Sequence, residues 1–160
     1  MKREGRWIHR LICAAGLLTL LTLPVAAGAF NLAQYNAGDL DQILAEPRQE
    51  NGIKLLSPQK LRFEVSLLSY AESCDTGFLR RSMVMLGAPQ QVVDTLPVSE
   101  CIQVKTAKGN STTVYIQDKV AGFLPQEVPL GSALSIFGDL LFLDKDGPGI
   151  LVNEFQVKEK

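Results

Sequence analysis

The sequence predicts an all-β fold with a short helix, on three observations. Apolar and polar residues alternate along residues 61–69, 101–106 and 111–117, which is the two-residue period of strands with one buried face. Apolar residues at three- and four-residue spacing then follow the third segment and predict a helix. Two more apolar segments, separated by a turn sequence, run to Phe155. The chain is therefore expected to have five strands, with the helix between the third and the fourth.

The first 29 residues are predicted to be a secretory signal peptide. Basic residues precede an uncharged apolar run, and Ala27-Gly28-Ala29 is a small-residue cleavage motif before Phe30. The run from Leu11 to Ala29 is also close to the length of a membrane span, so a retained signal anchor is the alternative. Pro24 and the cleavage motif favour removal. We expect a periplasmic or secreted protein that contacts a membrane only if this segment is retained.

Removal of the signal segment changes the chemistry available to the chain. The segment carries four of the 16 basic residues, one of the 17 acidic residues and the single histidine, which leaves 12 basic and 16 acidic residues and a net charge of −4. Without histidine, the commonest general base and most zinc sites are excluded. The negative charge disfavours nucleic acid as a ligand, because phosphate binding needs a basic surface.

Cys74 and Cys101 are the two cysteines that remain after cleavage. An even pair in an exported chain predicts a disulfide, and two buried free thiols are the alternative. Their spacing is not the C-x-x-C of redox-active dithiols.

The domain boundaries are predicted from helix and strand signals. Residues 30–60 are expected to form an N-terminal arm with one short helix, which Asp39 caps and which ends before Pro47. The main domain is expected to span residues 61–157, with residues 75–100 inserted in it.

The insertion holds the least regular sequence. Residues 78–86 fit a helix slightly better than a strand. The apolar residues from 78 to 97 exceed what a plain connector needs, which suggests a docking edge. The residues that suggest it are Met83, Met85, Val92 and Val93.

The second half of the chain has three local signals. The helix after the third strand is expected to begin at an N-cap, Asp118, and to end at Pro125. Gly138 interrupts the fourth strand, as glycine does where a strand bulges. Residues 144–149 predict the last turn. Its DxDG phrase resembles part of a calcium loop but lacks the other ligands of that site, so a turn without metal is favoured.

The order of elements resembles the oligonucleotide/oligosaccharide-binding (OB) fold, a five-stranded Greek-key barrel with a helix between strands three and four. Two phrases are similar to members of that fold: LGSALSIFG at the entry to the fourth strand, and LDQILAEPRQENGIKLL as the lead-in of small exported bacterial members. The resemblance covers most of the chain after the signal segment and implies a fold but no activity. An open β-sandwich and an SH3-like barrel are alternatives.

The resemblance also implies a ligand face. Ligands of that fold usually meet the outer face of strands two and three and the loops after strands one and four. Tyr115 would stack on a base, a sugar or a peptide side chain, with basic residues as polar anchors. Singly, each residue of this face is also typical of an ordinary solvent-exposed strand or loop. The implied ligand-binding residues are Arg80, Arg81, Gln103, Lys105, Thr113, Tyr115 and Lys145.

These observations predict a non-catalytic exported protein that binds a protein, peptide or glycan of the cell envelope through this face and the insertion, with no cofactor. A small hydrolase with serine or carboxylate chemistry is one alternative and would rest on a pair such as Ser57 with Lys60. A nucleic-acid-binding domain is the other.

Overall fold

The computed structural model describes residues 30–48 and 52–158, so the predicted signal segment lies outside the described residues. Within the described ranges, no helix has the length and apolarity that a membrane span needs. A 3-10 turn at Leu32–Gln34 comes first. The strands are β1 (Asn36–Ala37), β2 (Lys54–Leu67), β3 (Glu72–Ser73), β4 (Glu100–Lys105), β5 (Ser111–Ile116), β6 (Ala133–Leu143) and β7 (Pro148–Val157). The helices are α1 (Leu40–Ala45), α2 (Gly77–Met85), α3 (Gln90–Asp94), α4 (Asp118–Ala121) and α5 (Leu124–Glu127).

These strands form one sheet in the order β1-β2-β6-β7-β5-β4-β3. β2 also pairs with β4 through two residue pairs, Ser66 with Lys105 and Leu67 with Val104. The pairings of β1 with β2 and of β5 with β7 are parallel, and the others are antiparallel. The prediction of a mostly β fold with short helices is confirmed. The sheet contains seven strands in the described residues, where the sequence predicts five.

β2 confirms the clearest strand signal in the sequence. Phe63, Val65 and Leu67 are buried, while the residues between them are partly or fully exposed. The strand begins earlier than predicted, at Lys54, because β6 is long enough to pair with β2 as far back as that residue. β2 therefore reaches into the predicted N-terminal arm.

Gly138 marks a bulge between β6 and β7, as predicted. The register shifts between Phe137 and Gly138. A Cβ atom at Gly138 would lie 2.8 Å from the carbonyl oxygen of Leu151. Only glycine allows the two strands to approach this closely.

The main hydrophobic core is formed by residues of the five longer strands together with α1 and the helices after β5. Leu40 and Ile43 of α1 belong to this core, so the segment predicted as an arm contributes to it. The largest fully buried side chains in the core are Phe63, Leu67, Ile102, Ile116, Leu124, Leu134, Ile136 and Ile150.

α1 is fixed to the β4–β5 hairpin by a buried carboxylate. Asp39 caps the helix, as predicted, by accepting a hydrogen bond from the backbone N–H of Gln42. Asp41 is only 9 % exposed, and its Oδ1 accepts hydrogen bonds from Thr106 Oγ1 at 2.6 Å and Asn110 Nδ2 at 2.7 Å. The bond from Thr106, followed by that from Asn110, outweighs burial and lowers the pKa of Asp41.

A second, smaller core lies beneath the insertion. The helix favoured at residues 78–86 is confirmed as α2, and the ring of Phe78 packs edge-on against Phe142 with 5.1 Å between centroids. The buried members of this core are Leu79, Val98, Leu141, Phe142 and Leu151. The insertion is therefore folded onto the sheet.

This packing corrects the predicted docking edge. Val93 is fully buried, and Met83 is partly buried against the second core. Met85 and Val92 remain exposed, at 58 % and 56 %. Half of the apolar residues that suggested docking thus serve the fold.

Two expectations about the helix after β5 are wrong. Gln117, and not Asp118, occupies the N-cap of α4. The Asp118 carboxylate instead accepts hydrogen bonds from the backbone N–H and the hydroxyl of Ser99, at 2.8 and 3.0 Å. Pro125 does not end the helical segment but lies in the first turn of α5, where a missing N–H leaves no hydrogen bond unmade.

Candidate ligand groove

A groove opens beside Tyr115, between the chain that precedes α2 and the turn that joins β6 to β7. Two cavities of about 250 and 680 Å³ make up the groove. They share four lining residues, which are Asp75, Tyr115, Asp144 and Asp146. We call this feature the Tyr115 groove.

Tyr115 is presented to the groove by the alternation of β5. Its neighbours Val114 and Ile116 are fully buried in the main core, so the Tyr115 side chain lies on the opposite face of the strand. There it packs partly against the second core. Burial, then the charges of Asp144 and Asp75, raise the pKa of Tyr115. The phenol therefore stays neutral and able to donate a hydrogen bond at physiological pH.

The predicted disulfide is present and borders the groove. Cys74 and Cys101 are bonded, with 5.8 Å between their Cα atoms, and both line the smaller cavity. Cys101 is the cross-strand partner of Tyr115 in the β4–β5 pairing. The disulfide consequently holds Asp75, the next residue in the chain, near the aromatic ring.

The opposite wall is the turn between β6 and β7. Asp144 Oδ1 accepts hydrogen bonds from the backbone N–H groups of Asp146 and Gly147, at 2.8 and 2.9 Å. Lys145 Nζ lies 2.7 Å from both carboxylate oxygens of Asp146, and this pairing raises the pKa of Lys145.

Across residues 30–48 and 52–158, no three His, Cys, Asp or Glu side chains are grouped to hold a metal ion.

α2 supplies the third side of the groove. Phe78 and Arg81 line the larger cavity, and the Arg81 guanidinium lies 5.6 Å from the centroid of the Phe78 ring. Asp75 Oδ1 accepts a hydrogen bond from the backbone N–H of Gly77 at 2.8 Å. The groove thus combines three aromatic rings, Phe78, Tyr115 and Phe142, with three carboxylates and two cations, a set that can stack on a ligand and hydrogen-bond to it from several sides.

The structure brings four of the seven predicted ligand-binding residues to this groove. Arg81, Thr113, Tyr115 and Lys145 all line one or both cavities. Gln103 and Lys105 are exposed on β4 and line neither cavity.

Arg80 is engaged within the protein instead. Its guanidinium donates to the carbonyl oxygens of Val93, Leu96 and Val98, the latter two at 2.9 Å. These bonds join α2 to α3 and to the chain that follows it. Arg80 therefore shapes the insertion that carries part of the groove, and it lines neither cavity.

Sequence reasoning missed several residues of the groove. The sequence predicts only a turn at Asp144 and Asp146, and it predicts no binding role for Asp75 or Phe78. A signal exists for Asp75 alone: Cys101 pairs with Tyr115 across the strands, and the disulfide to Cys74 then places Asp75 near the ring. The suggested Ser57–Lys60 pair lies elsewhere, and Lys60 Nζ donates to Gln34 Oε1 at 2.8 Å.

Comparison with known proteins finds no matching family model and no similar curated sequence.

Proposed function

We propose that this chain is a non-catalytic exported binding protein, and that its ligand is a protein segment, peptide or glycan of the cell envelope. The observation that carries the proposal is the position of Tyr115. Its partly buried ring forms the floor shared by two cavities, with charged side chains on both walls. An aromatic surface with a few convergent polar groups is typical of ligand sites.

The strand arrangement supports an OB-like barrel as the scaffold. β2, β6, β7, β5 and β4 pair in succession, and β4 pairs back to β2. β5 runs parallel to β7, and α4 and α5 lie between β5 and β6. In an OB barrel, these positions correspond to strands one, four, five, three and two. The groove then lies between the loop after strand one and the loop after strand four, where ligands of that fold bind.

The charges of the groove help to choose among ligand classes. Three carboxylates face it against two cations, and one of those cations, Lys145, is already paired with Asp146. Carboxylates repel phosphates, which argues against nucleic acid. They accept hydrogen bonds from peptide N–H groups, ammonium groups and sugar hydroxyls. The disulfide is consistent with an oxidising, extracytoplasmic compartment.

The proposal is tested by a binding screen followed by matched variants. The purified protein is screened against a peptide library and a glycan array, and each ligand found is titrated against the unmodified protein, Tyr115→Ala and Gln103→Ala. We expect Tyr115→Ala to raise the dissociation constant at least about tenfold. Gln103→Ala, on the neighbouring strand but outside the groove, should leave it unchanged. Ligands that bind Tyr115→Ala as tightly as the unmodified protein would contradict the proposal.

A further inference from the structure

We infer that the Cys74–Cys101 disulfide is a redox latch for the Tyr115 groove, so that its reduction opens one groove wall while the sheet and α2 stay folded. The inference concerns regulation of the groove and rests on the proposed function for its biological meaning. It is argued from how the wall is attached. We call that wall, Glu72–Thr76, the latch segment.

The latch segment runs between two anchors that do not involve the disulfide. Upstream, the backbone N–H groups of Leu68 and Ser69 donate to the carbonyl oxygen of Gln103, at 2.9 and 3.3 Å. The Tyr70 hydroxyl donates to the carbonyl oxygen of Val128 at 3.2 Å. These bonds hold the end of β2 and the residues after it, whatever the state of the cysteines.

Downstream, α2 has its own attachment. Leu79 is fully buried in the second core, and Phe78 packs against Phe142. The three carbonyl contacts of Arg80 tie the helix to α3 and to the chain after it. α2 therefore does not depend on the disulfide to stay on the sheet.

Between these anchors, few contacts hold the latch segment to β4. Its last two residues bond to α2 instead: Asp75 Oδ1 accepts from the Gly77 N–H at 2.8 Å, and the Thr76 carbonyl oxygen accepts from the Arg80 N–H at 3.0 Å. β3 contributes two residue pairs with β4, Glu72 with Cys101 and Ser73 with Glu100. One more backbone bond joins Cys74 N–H to the carbonyl oxygen of Ser99 at 3.2 Å. A two-residue edge strand is marginal by itself, because short pairings do not offset the entropy of ordering the chain. The covalent bond is the main tie.

The disulfide can be reached by a reductant from the groove. Cys74 is partly exposed, Cys101 is nearly buried, and both line the smaller cavity. One thiolate of a dithiol reductant attacks Cys74 Sγ, breaks the Sγ–Sγ bond and releases the Cys101 thiolate, which takes up a proton. The second thiol of the reductant then attacks the mixed disulfide and releases the Cys74 thiol. The reductant leaves as its own disulfide, so two electrons and two protons pass to the protein.

Opening the latch segment changes the groove directly. Asp75 belongs to both cavities and lies one residue beyond Cys74. Freed from β4, Glu72–Cys74 move off the sheet edge, and Asp75 is then positioned only through its bond from the Gly77 N–H, so its carboxylate loses its fixed place beside Tyr115. The expected consequence is that the oxidised protein has a formed groove and the reduced protein does not.

Hydrogen exchange measured by mass spectrometry tests this without any ligand. The protein is compared before and after reduction with dithiothreitol and after reoxidation, and the variant carrying Cys74→Ser and Cys101→Ser is measured alongside. We expect amides of the latch segment to exchange at least about tenfold faster on reduction, reversibly, with β2, β6 and α2 unchanged. Unchanged exchange in the latch segment, or a loss of protection in β6 at the same time, would each overturn the inference.

The outcome is separable from that of the binding screen. A latch segment that does not open leaves the groove as a constant binding site, and the proposed function stands. The opposite combination is also possible. If the latch segment opens on reduction but the ligands bind Tyr115→Ala as tightly as the unmodified protein, the proposed function is wrong and the redox latch still stands.

Discussion

The Asp41 carboxylate accepts a 2.6 Å hydrogen bond from the Thr106 hydroxyl, although the two residues are 65 positions apart in the chain. The contact ties the first helix to the hairpin between β4 and β5. It also makes the free energy of unfolding depend on pH, with a contribution that is present at neutral pH and lost in acid.

We predict that Asp41→Asn destabilises the protein at neutral pH and that this loss shrinks in acid. Hydrogen bonds from Thr106 and then Asn110 lower the pKa of Asp41 in the folded protein. The stabilisation is therefore complete above the unfolded-state pKa of about 3.9 and disappears as the pH falls through the lower folded-state pKa. Urea denaturation at pH 7, 5 and 3 measures it. Asp94→Asn, at an exposed Gln90 contact, is the control. A loss that stays constant with pH would contradict the prediction.

We predict that Arg80→Met lowers the free energy of unfolding by about 2–3 kcal/mol, because three carbonyl oxygens lose a charged donor. Arg81→Met on the same helix should cost less than about 1 kcal/mol, since Arg81 makes an exposed contact with Phe78. Chemical denaturation of both variants compares them. Equal losses would show that Arg80 is not the tie between α2 and the chain after α3.

We predict that Leu79→Ala costs about 2–4 kcal/mol, because the side chain is fully buried beneath the insertion. Met85→Ala lies on the same helix but is 58 % exposed, and it should change stability by no more than about 0.5 kcal/mol. Thermal or urea unfolding distinguishes the two. If Leu79→Ala were as mild as Met85→Ala, the second core would not contribute to stability.

We predict that Gly149→Ala costs about 2–3 kcal/mol, because a Cβ atom there would overlap the ring of Phe142. Gly122→Ala is the matched control. Gly122 has helical geometry with φ −62°, and a Cβ atom would make ordinary contacts at 3.8 Å, so this change should stabilise by about 0.5 kcal/mol. Urea denaturation gives both values. A stable Gly149→Ala protein would show that the Phe142 ring can move aside.

The sequence predicts the local features of the fold well, because their causes are local. The alternation of apolar and polar residues around Phe63 predicts a strand with one buried face, and the structure has that strand. Asp39 is predicted to cap a helix, and α1 begins at the next residue. A glycine within a strand predicts a bulge, and at Gly138 the bulge is present because no side chain fits there. The Cys74–Cys101 bond was predicted by pairing the two cysteines of a chain that is expected to be exported.

Features that depend on distant partners were not predicted. The sequence predicts Asp118 as a helix cap, yet Asp118 accepts its hydrogen bonds from Ser99, which precedes it by 19 residues. The sequence predicts Arg80 as a ligand-binding residue, yet its acceptors are carbonyl oxygens 13 to 18 residues further along the chain. The Tyr115 groove is a third case, because its walls come from separate parts of the chain and meet only when β5 and β7 pair.

The order of strands in the sheet also sets when the protein can fold. β2 lies in the first half of the chain, but the strand with which it makes most of its pairs is β6. Lys54 therefore cannot pair until Leu143 has been synthesised. Long-range pairing of this kind slows folding, because a long loop of chain must close before β2 and β6 can make contact. A nascent chain that ends near residue 130 lacks both β6 and β7, so the sheet cannot assemble until Pro148–Val157 has been added.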